Sequence, residues 1–294
     1  MGPLAAFGFE PCGGLPSIGL SVHGASVVGR VGTTRLDAAL GTAVPSHFVW
    51  NRDRLESLSG NGPMSHEDQA CVDRMIRARR TEKVLAKEAI AYTWPQEEIQ
   101  AGDALVQSAL AVAGWTPFHY PLEPQGRVEP WQVYLLRQLD ATRLADRIEA
   151  DEAIRSEAGK IPALLRGCGS LALVYEEPDT RIADLEKRAT VNREHLMAVA
   201  AFAQSLLLAL QARGLGTYWS SGGVLHSEVV KQWLEIPPGQ NLVAAVFVDY
   251  HLESPPGTVE RVPGKLRESR TTVENWTRVI ELPAGPLPPS GDGA

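Results

Sequence analysis

Three features of the 294-residue sequence predict an α+β fold. Helical and extended patterns are interleaved between residues 64 and 282. One segment, "NLVAAVFVDY" (241–250), is a continuous apolar run of the kind found in central strands. Too few strands follow a strand–helix–strand rhythm for a doubly wound sheet.

The elements follow from local signals. "SHEDQACVDRMIRAR" (65–79) reads as a short helix with acidic residues at its start, where the macrodipole favours them. "PQEEIQAGDALVQSALAVAG" (95–114) is a second, with Pro95 suited to a first helical position, Glu97 and Glu98 in the first turn and Gly114 as its stop. "PWQVYLL" is a strand, 140–158 a charged amphipathic helical stretch, and "SLALVYEE" another strand. "NREHLMAVAAFAQSLLLALQARGLG" (192–216) is a long helix, apolar nearly all round and closed by Gly214 or Gly216. A helix without a polar face needs cover on every side. Its apolar core, 196–210, contains Gln204 and Ser205 and falls short of the roughly 20 residues of a membrane span. "HSEVVKQWLEI" is a short helix before the last strand.

Residues 1–63 read differently. Gly, Pro, Ser and Ala dominate, and "PCGGLPSIGL" and "SGNGPMSH" interrupt the chain too often for long elements. The basic start and apolar core of a secretory signal are missing, and Glu10, Asp37, Asp53 and Glu56 argue against an organelle transit peptide. This segment is expected to be a disordered extension, or sequence upstream of a true start at Met64, with a small ordered flap as the alternative. Residues 64–282 form the domain, and "LPAGPLPPSGDGA" reads as a flexible tail over 283–294.

A net charge of −7 argues against general nucleic-acid binding, which needs a broad basic face. Cys12, Cys71 and Cys168 are scattered, with no CxxC pair or metal-ligand spacing, so a reduced, cytoplasmic setting is expected and neither metal nor membrane is. "GLGTYW" has Trp219 where a dinucleotide fingerprint needs its third glycine, and "PGKL" has Leu266 where a phosphate loop needs Ser or Thr. "YWSSGG" is no nucleophile elbow, because Tyr218 occupies the first glycine position. With no evident nucleophile or catalytic side chain, a bound cofactor would carry any reaction.

Against this acidic background, "RARRTEKVL" (77–85) concentrates Arg77, Arg79, Arg80 and Lys83. Taken alone these are cations at a helix C-terminus, worth a few tenths of a kcal/mol. Downstream, "GKLR" sets Lys265 and Arg267 two residues apart in an irregular segment. "YWSSGGVLHSEVV" places two hydroxyls and two glycines just before a helix N-terminus, and "TPFHY" directly follows a helix.

In order, these pieces resemble the nitroreductase family of FMN-dependent oxidoreductases, over residues 70 to 270. "RARRTEKVL" is similar to that family's Arg-Arg-Ser-x-Arg segment, with Thr81 for Ser and Lys83 for the last Arg. "ALAVAGWTPFHY" resembles its Ala-rich helix and Pro-Ser-type loop, and "EPWQVYLL" the Gln-Pro-Trp strand start. "AFAQSLLLALQARGLGTYW" resembles the long helix ending in Gly-Leu-Gly, and "GKLR" the closing Lys-x-Arg. The small single-domain branch fits best, through Trp219, Ser220, Ser221 and Gly222.

The resemblance implies a central mixed or antiparallel sheet flanked by helices, and a homodimer with FMN at the subunit interface. By that analogy Arg79, Arg80 and Thr81 line the phosphate and ribityl chain, Lys265 and Arg267 complete the phosphate pocket, and Lys83 lies near the flavin N1/O2 edge. Ser221, Gly222 and Gly223 approach N5. Thr116, Pro117, Phe118 and His119 reach the flavin from the other subunit, and the helix 195–210 packs in the interface. NADH or NADPH would be the reductant, and nitroaromatics, quinones or similar small electron-poor molecules the acceptors, in a ping-pong hydride cycle. A specialised relative that fragments flavin or removes halogens, and a non-enzymatic flavin-binding dimer, are the alternatives.

Overall fold

The computed structural model describes residues 65–87, 94–122, 128–252, 258–266 and 269–281. Residues 1–63 and 283–294, read above as extension and tail, lie outside them, as do Arg267 and part of the 120–128 insertion. The chain divides into two units, Met1–Arg74 and Met75–Ala294. Of the first, only residues 65–74 are described. They open helix α1 (His66–Ala78), whose first turn carries Glu67 and Asp68 and whose Asp68 N–H is capped by Ser65 Oγ at 3.1 Å.

In chain order the second unit continues with β1 (Glu82–Ala86), α2 (Gln96–Ala113), β2 (Trp131–Arg137) and α3 (Gln138–Ala150). After a 3₁₀ turn at Arg155–Glu157 come α4 (Ile161–Gly167), β3 (Ser170–Glu176), α5 (Leu185–Gln211) and β4 (Gly216–Ser220). The 3₁₀ turn Gly223–His226, α6 (Glu228–Trp233), β5 (Asn241–Asp249), β6 (Val259–Pro263) and a last 3₁₀ turn, Val273–Asn275, follow.

The central sheet has the order β2-β3-β5-β4 with every pairing antiparallel. The fold is α+β, with the sheet flanked by helices. On one face, α2 and α5 bring Val106, Val199, Phe202, Leu206 and Leu210 against Val174, Ala244, Val246 and Val248. On the other, α3 and α4 bring Leu144, Ile148 and Leu165 against Leu171, Leu173, Tyr175 and Phe247. Successive strand residues feed opposite cores, which is why β5 is apolar at nearly every position.

Helix α5 differs from its expected form. It begins at Leu185 because Asp184 Oδ1 accepts from the Glu186 and Lys187 N–H groups at 2.9 and 3.0 Å. Gly214, at φ 75, ends it, and Leu215 N–H donates to Leu210 O at 3.1 Å. Gly216 is a strand residue. The resulting 27 residues are long and apolar enough to cross a membrane, yet half of the apolar window is buried within the chain, as in a core helix. Within the single chain the helix is covered on one side. Leu207 is 3% exposed and faces the chain's own core, whereas Leu196 and Met197 are 45% and 57% exposed.

Smaller differences are local. Pro95 stands one position earlier than expected, as the N-cap at φ −53, ψ 135. The stretch 140–158 splits into α3 and the 3₁₀ turn. Sequence patterning missed β1, β6 and α4 altogether, and these three elements frame the site.

Candidate functional site

Strands β1 and β6 form a separate antiparallel pair, from Glu82↔Pro263 to Ala86↔Val259. The pairing extends past the strand ends, where Gly264 N–H donates to Thr81 O at 2.8 Å. A Cβ at Gly264 would stand 3.1 Å from Thr81 Cβ, so the two segments touch. Backbone pairing therefore sets Lys265 beside the 79–83 segment, although the two are remote in sequence. Arg79 Nη1 donates to Thr81 Oγ1 at 3.4 Å and is half-buried, while Arg80 and Lys265 are exposed.

The pair is positioned by α4. At Gly167, the last residue of that helix, a Cβ would lie 2.5 Å from Val84 O, so only glycine permits the observed approach. Val84 is the one buried residue of β1. On its other side β1 neighbours β4, and Lys83 Nζ sits 5.0 Å from the Tyr218 ring centroid. Such a cation–π contact is worth about 0.5–1 kcal/mol at a partly exposed site.

Beyond β4 the chain turns through Ser221, Gly222 and Gly223. Gly222 has φ 110 and Gly223 φ 55, both in the region that favours glycine. Gly222 N–H donates to Ser220 Oγ at 3.2 Å, and His226 Nε2 contacts Ser221 O. A Cβ on Gly222 would meet Leu242 Cδ2 at 2.7 Å, whereas one on Gly223 would have Ile161 of α4 at 3.7 Å as its nearest neighbour. Helix α4 thus spans from the 222–223 turn to β1. The segments 79–83, 221–223 and Lys265 all lie along the β4 edge of the molecule.

Residues 116–119 lie at the end of α2, on the face of the sheet that α2 and α5 cover. Thr116 is buried, and its Oγ1 donates to Ala113 O at 2.8 Å. Phe118 meets Trp131 edge-on at 5.6 Å. His119 is exposed, stacks on Tyr120, and has Nδ1 2.9 Å from Glu194 Oε2. These contacts are made within the same chain. A cavity of about 610 Å³, lined by Tyr134, Asp140, Arg143, Arg147 and Trp233, opens beside β2, the opposite edge of the sheet from the cations.

Sequence reasoning missed Tyr218 and the Asp249–His251–Arg261 cluster. The one available signal was "VDYH", an ionisable Asp-x-His at the end of the most apolar strand.

Comparison with known proteins assigns the lineage. The nitroreductase family model matches residues 95–250, more than half of the chain. The chain belongs to the nitroreductase family.

Solved structures similar to this nitroreductase-family chain include the nitroreductase-like family protein from Bacillus cereus. It is 22% identical, with 72% of this chain and 98% of that one covered and a TM-score of 0.45. The FMN-dependent nitroreductase NfnB from Mycobacterium smegmatis, in complex with NADPH, is 14% identical with 72% and 99% covered and a TM-score of 0.46. A nitroreductase with bound FMN from Bacteroides fragilis is 16% identical with 71% and 98% covered and a TM-score of 0.42.

Proposed function

We propose that this chain binds FMN along the β4 edge and uses NADH or NADPH to reduce small electron-poor acceptors such as nitroaromatics or quinones. The supporting observation is the β1–β6 pairing, which places Lys265 beside Arg79, Arg80, Thr81 and Lys83. A donor set of guanidinium, ammonium and hydroxyl groups fits a dianionic phosphate, with arginine suited to bidentate contact. The two left-handed glycines fit as well, since they let backbone approach a planar ring without a side chain intervening.

When bound, the flavin supplies two-electron transfer between the nicotinamide and the acceptor. The protein's part is to hold and tune it. Arg79, Arg80, Thr81 and Lys265 would grip the phosphate end. Lys83, fixed over Tyr218, would place a positive charge at the edge of the ring system. Ser221, Gly222 and Gly223 would border the reacting face and limit water there.

A homodimer belongs to the same proposal. Leu105, Val112 and Trp115 on or just after α2, with Leu196 and Met197 on α5, are large apolar side chains that a single chain leaves exposed. Such surface is characteristic of protein interfaces, and a second copy would bring its own residues 116–119 to the flavin.

Equilibrium dialysis with FMN, followed by anaerobic addition of NADH and NADPH under an absorbance readout, tests the reading. Wild-type protein should bind FMN and bleach on reduction. Arg79→Ala should weaken binding by about 1.5–3 kcal/mol, the worth of a charge-assisted contact. Wild-type protein that takes up no FMN would overturn the proposal.

A further inference from the structure

The two-stranded sheet is tied to the central sheet through one buried carboxylate. Asp249 ends β5 and is 4% exposed. Its Oδ2 accepts from Arg261 Nε at 2.7 Å and its Oδ1 from Arg261 Nη2 at 3.2 Å. The same Oδ1 accepts from the His251 backbone N–H at 2.9 Å, and His251 Nδ1 lies 3.2 Å from Oδ2. Arg261 belongs to β6 and pairs with Val84 of β1. Glu82 of β1 brings a second carboxylate, since the ligating atoms of Glu82, Asp249 and His251 lie within 4.8 Å of one another. Strand β4 contributes the space: a Cβ at Gly216 would stand 3.0 Å from the His251 ring.

This cluster does not suit a metal ion, because a guanidinium already occupies both oxygens of Asp249. It suits a mechanical role. His251 holds φ 54, a left-handed conformation that is strained for a non-glycine residue and persists where the surroundings enforce it. Strands of both sheets, β4 and β5 of the central one and β1 and β6 of the pair, meet at these residues.

We infer that Asp249, Arg261, His251 and Glu82 form a latch, a set of positioning residues that holds the two-stranded sheet and its cations in the geometry required for FMN, and that His251 makes this hold pH-dependent. The inference rests on the FMN reading for its functional consequence but not for its structural one. The groups facing His251 are Asp249 from β5, Glu82 from β1 and Arg261 from β6. The Asp249 hydrogen bond raises the His251 pKa above 6.5; burial opposes this, the Asp249 and Glu82 charges support it, and Arg261 opposes it. Since the folded value is raised, the latch is at full strength below pH 6.5 and weakens as pH rises through the raised value. Burial pushes the Asp249 carboxyl up, but hydrogen bonds from His251 and Arg261 outweigh it and hold the pKa at about 2, so Asp249 stays charged throughout.

The test uses the full chain. FMN dissociation constants are measured by dialysis from pH 5.5 to 9 for wild type and His251→Asn, chosen because asparagine tolerates the left-handed backbone. Both proteins see the same titration of the FMN phosphate, so their difference isolates His251. Wild type should lose affinity relative to His251→Asn as pH rises, by about three- to tenfold, and Asp249→Asn should weaken FMN binding about tenfold at pH 7, the size of ordinary coupling between sites. Hydrogen exchange on flavin-free protein gives an independent readout: Asp249→Asn should accelerate β1 and β6 amides while leaving β3 protected. Should Asp249→Asn not fold, Arg261→Lys, which keeps the charge and loses the two-pronged contact, should show the same exchange pattern. Superimposable pH profiles together with unchanged β1 and β6 exchange overturn the latch. If wild type binds no FMN, the flavin reading fails and exchange alone decides the latch.

Discussion

Replacing Gly167 with alanine should move the candidate cofactor site without touching it. The added Cβ would lie 2.5 Å from Val84 O, 2.9 Å from Val84 C and 3.0 Å from Ala86 N. All three are backbone atoms, so no rotamer change relieves the contact. To restore even 3.0 Å to the nearest of them, β1 must retreat from α4 by 3.0 − 2.5 = 0.5 Å. Overpacking of this kind costs about 1–3 kcal/mol. The gain from removing a helical glycine, at most ~1 kcal/mol, is smaller at the end of a helix. A net loss of about 1–2 kcal/mol should lower the melting temperature by ~2–8 °C in a domain of this size. Because β1 carries Lys83 and follows Thr81, FMN affinity should fall as well. Gly114→Ala is the control: its φ is −58 and a new Cβ would find its nearest neighbour at 3.5 Å, so neither melting nor affinity should drop. Calorimetry and FMN dialysis on the three proteins decide the matter. A Gly167→Ala protein that melts with wild type and binds FMN equally would refute the claim that α4 sets the position of β1.

Other consequences can be checked as directly. Met197→Asp, at an exposed position, should leave the chain folded while shifting sedimentation toward monomer and lowering FMN occupancy, whereas Leu207→Asp should unfold it by placing an unpaired charge in the core; a Met197→Asp protein that sediments like wild type removes α5 from the proposed interface. Burial pushes the Cys168 thiol pKa far up, so a thiol reagent should modify half-exposed Cys71 in native protein and reach Cys168 only after unfolding. The depressed Asp249 pKa makes its contribution complete above pH 3.8 and lost as pH falls through about 2. The melting difference between wild type and Asp249→Asn should therefore persist down to pH 4, and its disappearance by pH 5 would contradict the assignment.

The central elements were legible because each had a strong local cause. β5 reads as a central strand from "LVAAVFV", since both of its faces are covered; α2 reads as a helix from Pro95, Glu97, Glu98 and Gly114 at its ends, and α5 from its long apolar run closed by glycine. β1 and β6 had no such cause. Each is five residues long, "EKVLA" and "VERVP" carry charges, and their partners are distant in sequence. Their pairing is decided by tertiary contacts at Gly167, Asp249 and Thr81 that no local pattern encodes. α4, with seven residues and Pro162 in its first turn, offers too short a period to detect. The cations at 79–83 and 265 stood out because they break an acidic background, but chain order alone could not place them together. For a similar reason hydropathy alone cannot tell Leu207, turned to the chain's own core, from Met197, turned outward.

Glycine stands at three close approaches in and around the two-stranded sheet. Gly167 lies against Val84, Gly216 beneath His251 and Gly264 against Thr81. The central sheet is held by side-chain burial on two faces, whereas β1 buries Val84 alone. A layer with so little apolar contact depends on close backbone approach and on the Asp249 cluster, and both are short-ranged. Its local opening should therefore cost less than global unfolding. Substitutions at these positions should alter FMN affinity at doses of strain that hardly change the melting of the central sheet, while substitutions at Phe202 or Leu173 should do the reverse. Plotting FMN affinity against melting temperature for both sets separates the two behaviours. A single common line would mean that the sheet pair is part of the core's cooperative unit, and that the site is held by the fold as a whole rather than by its own seam.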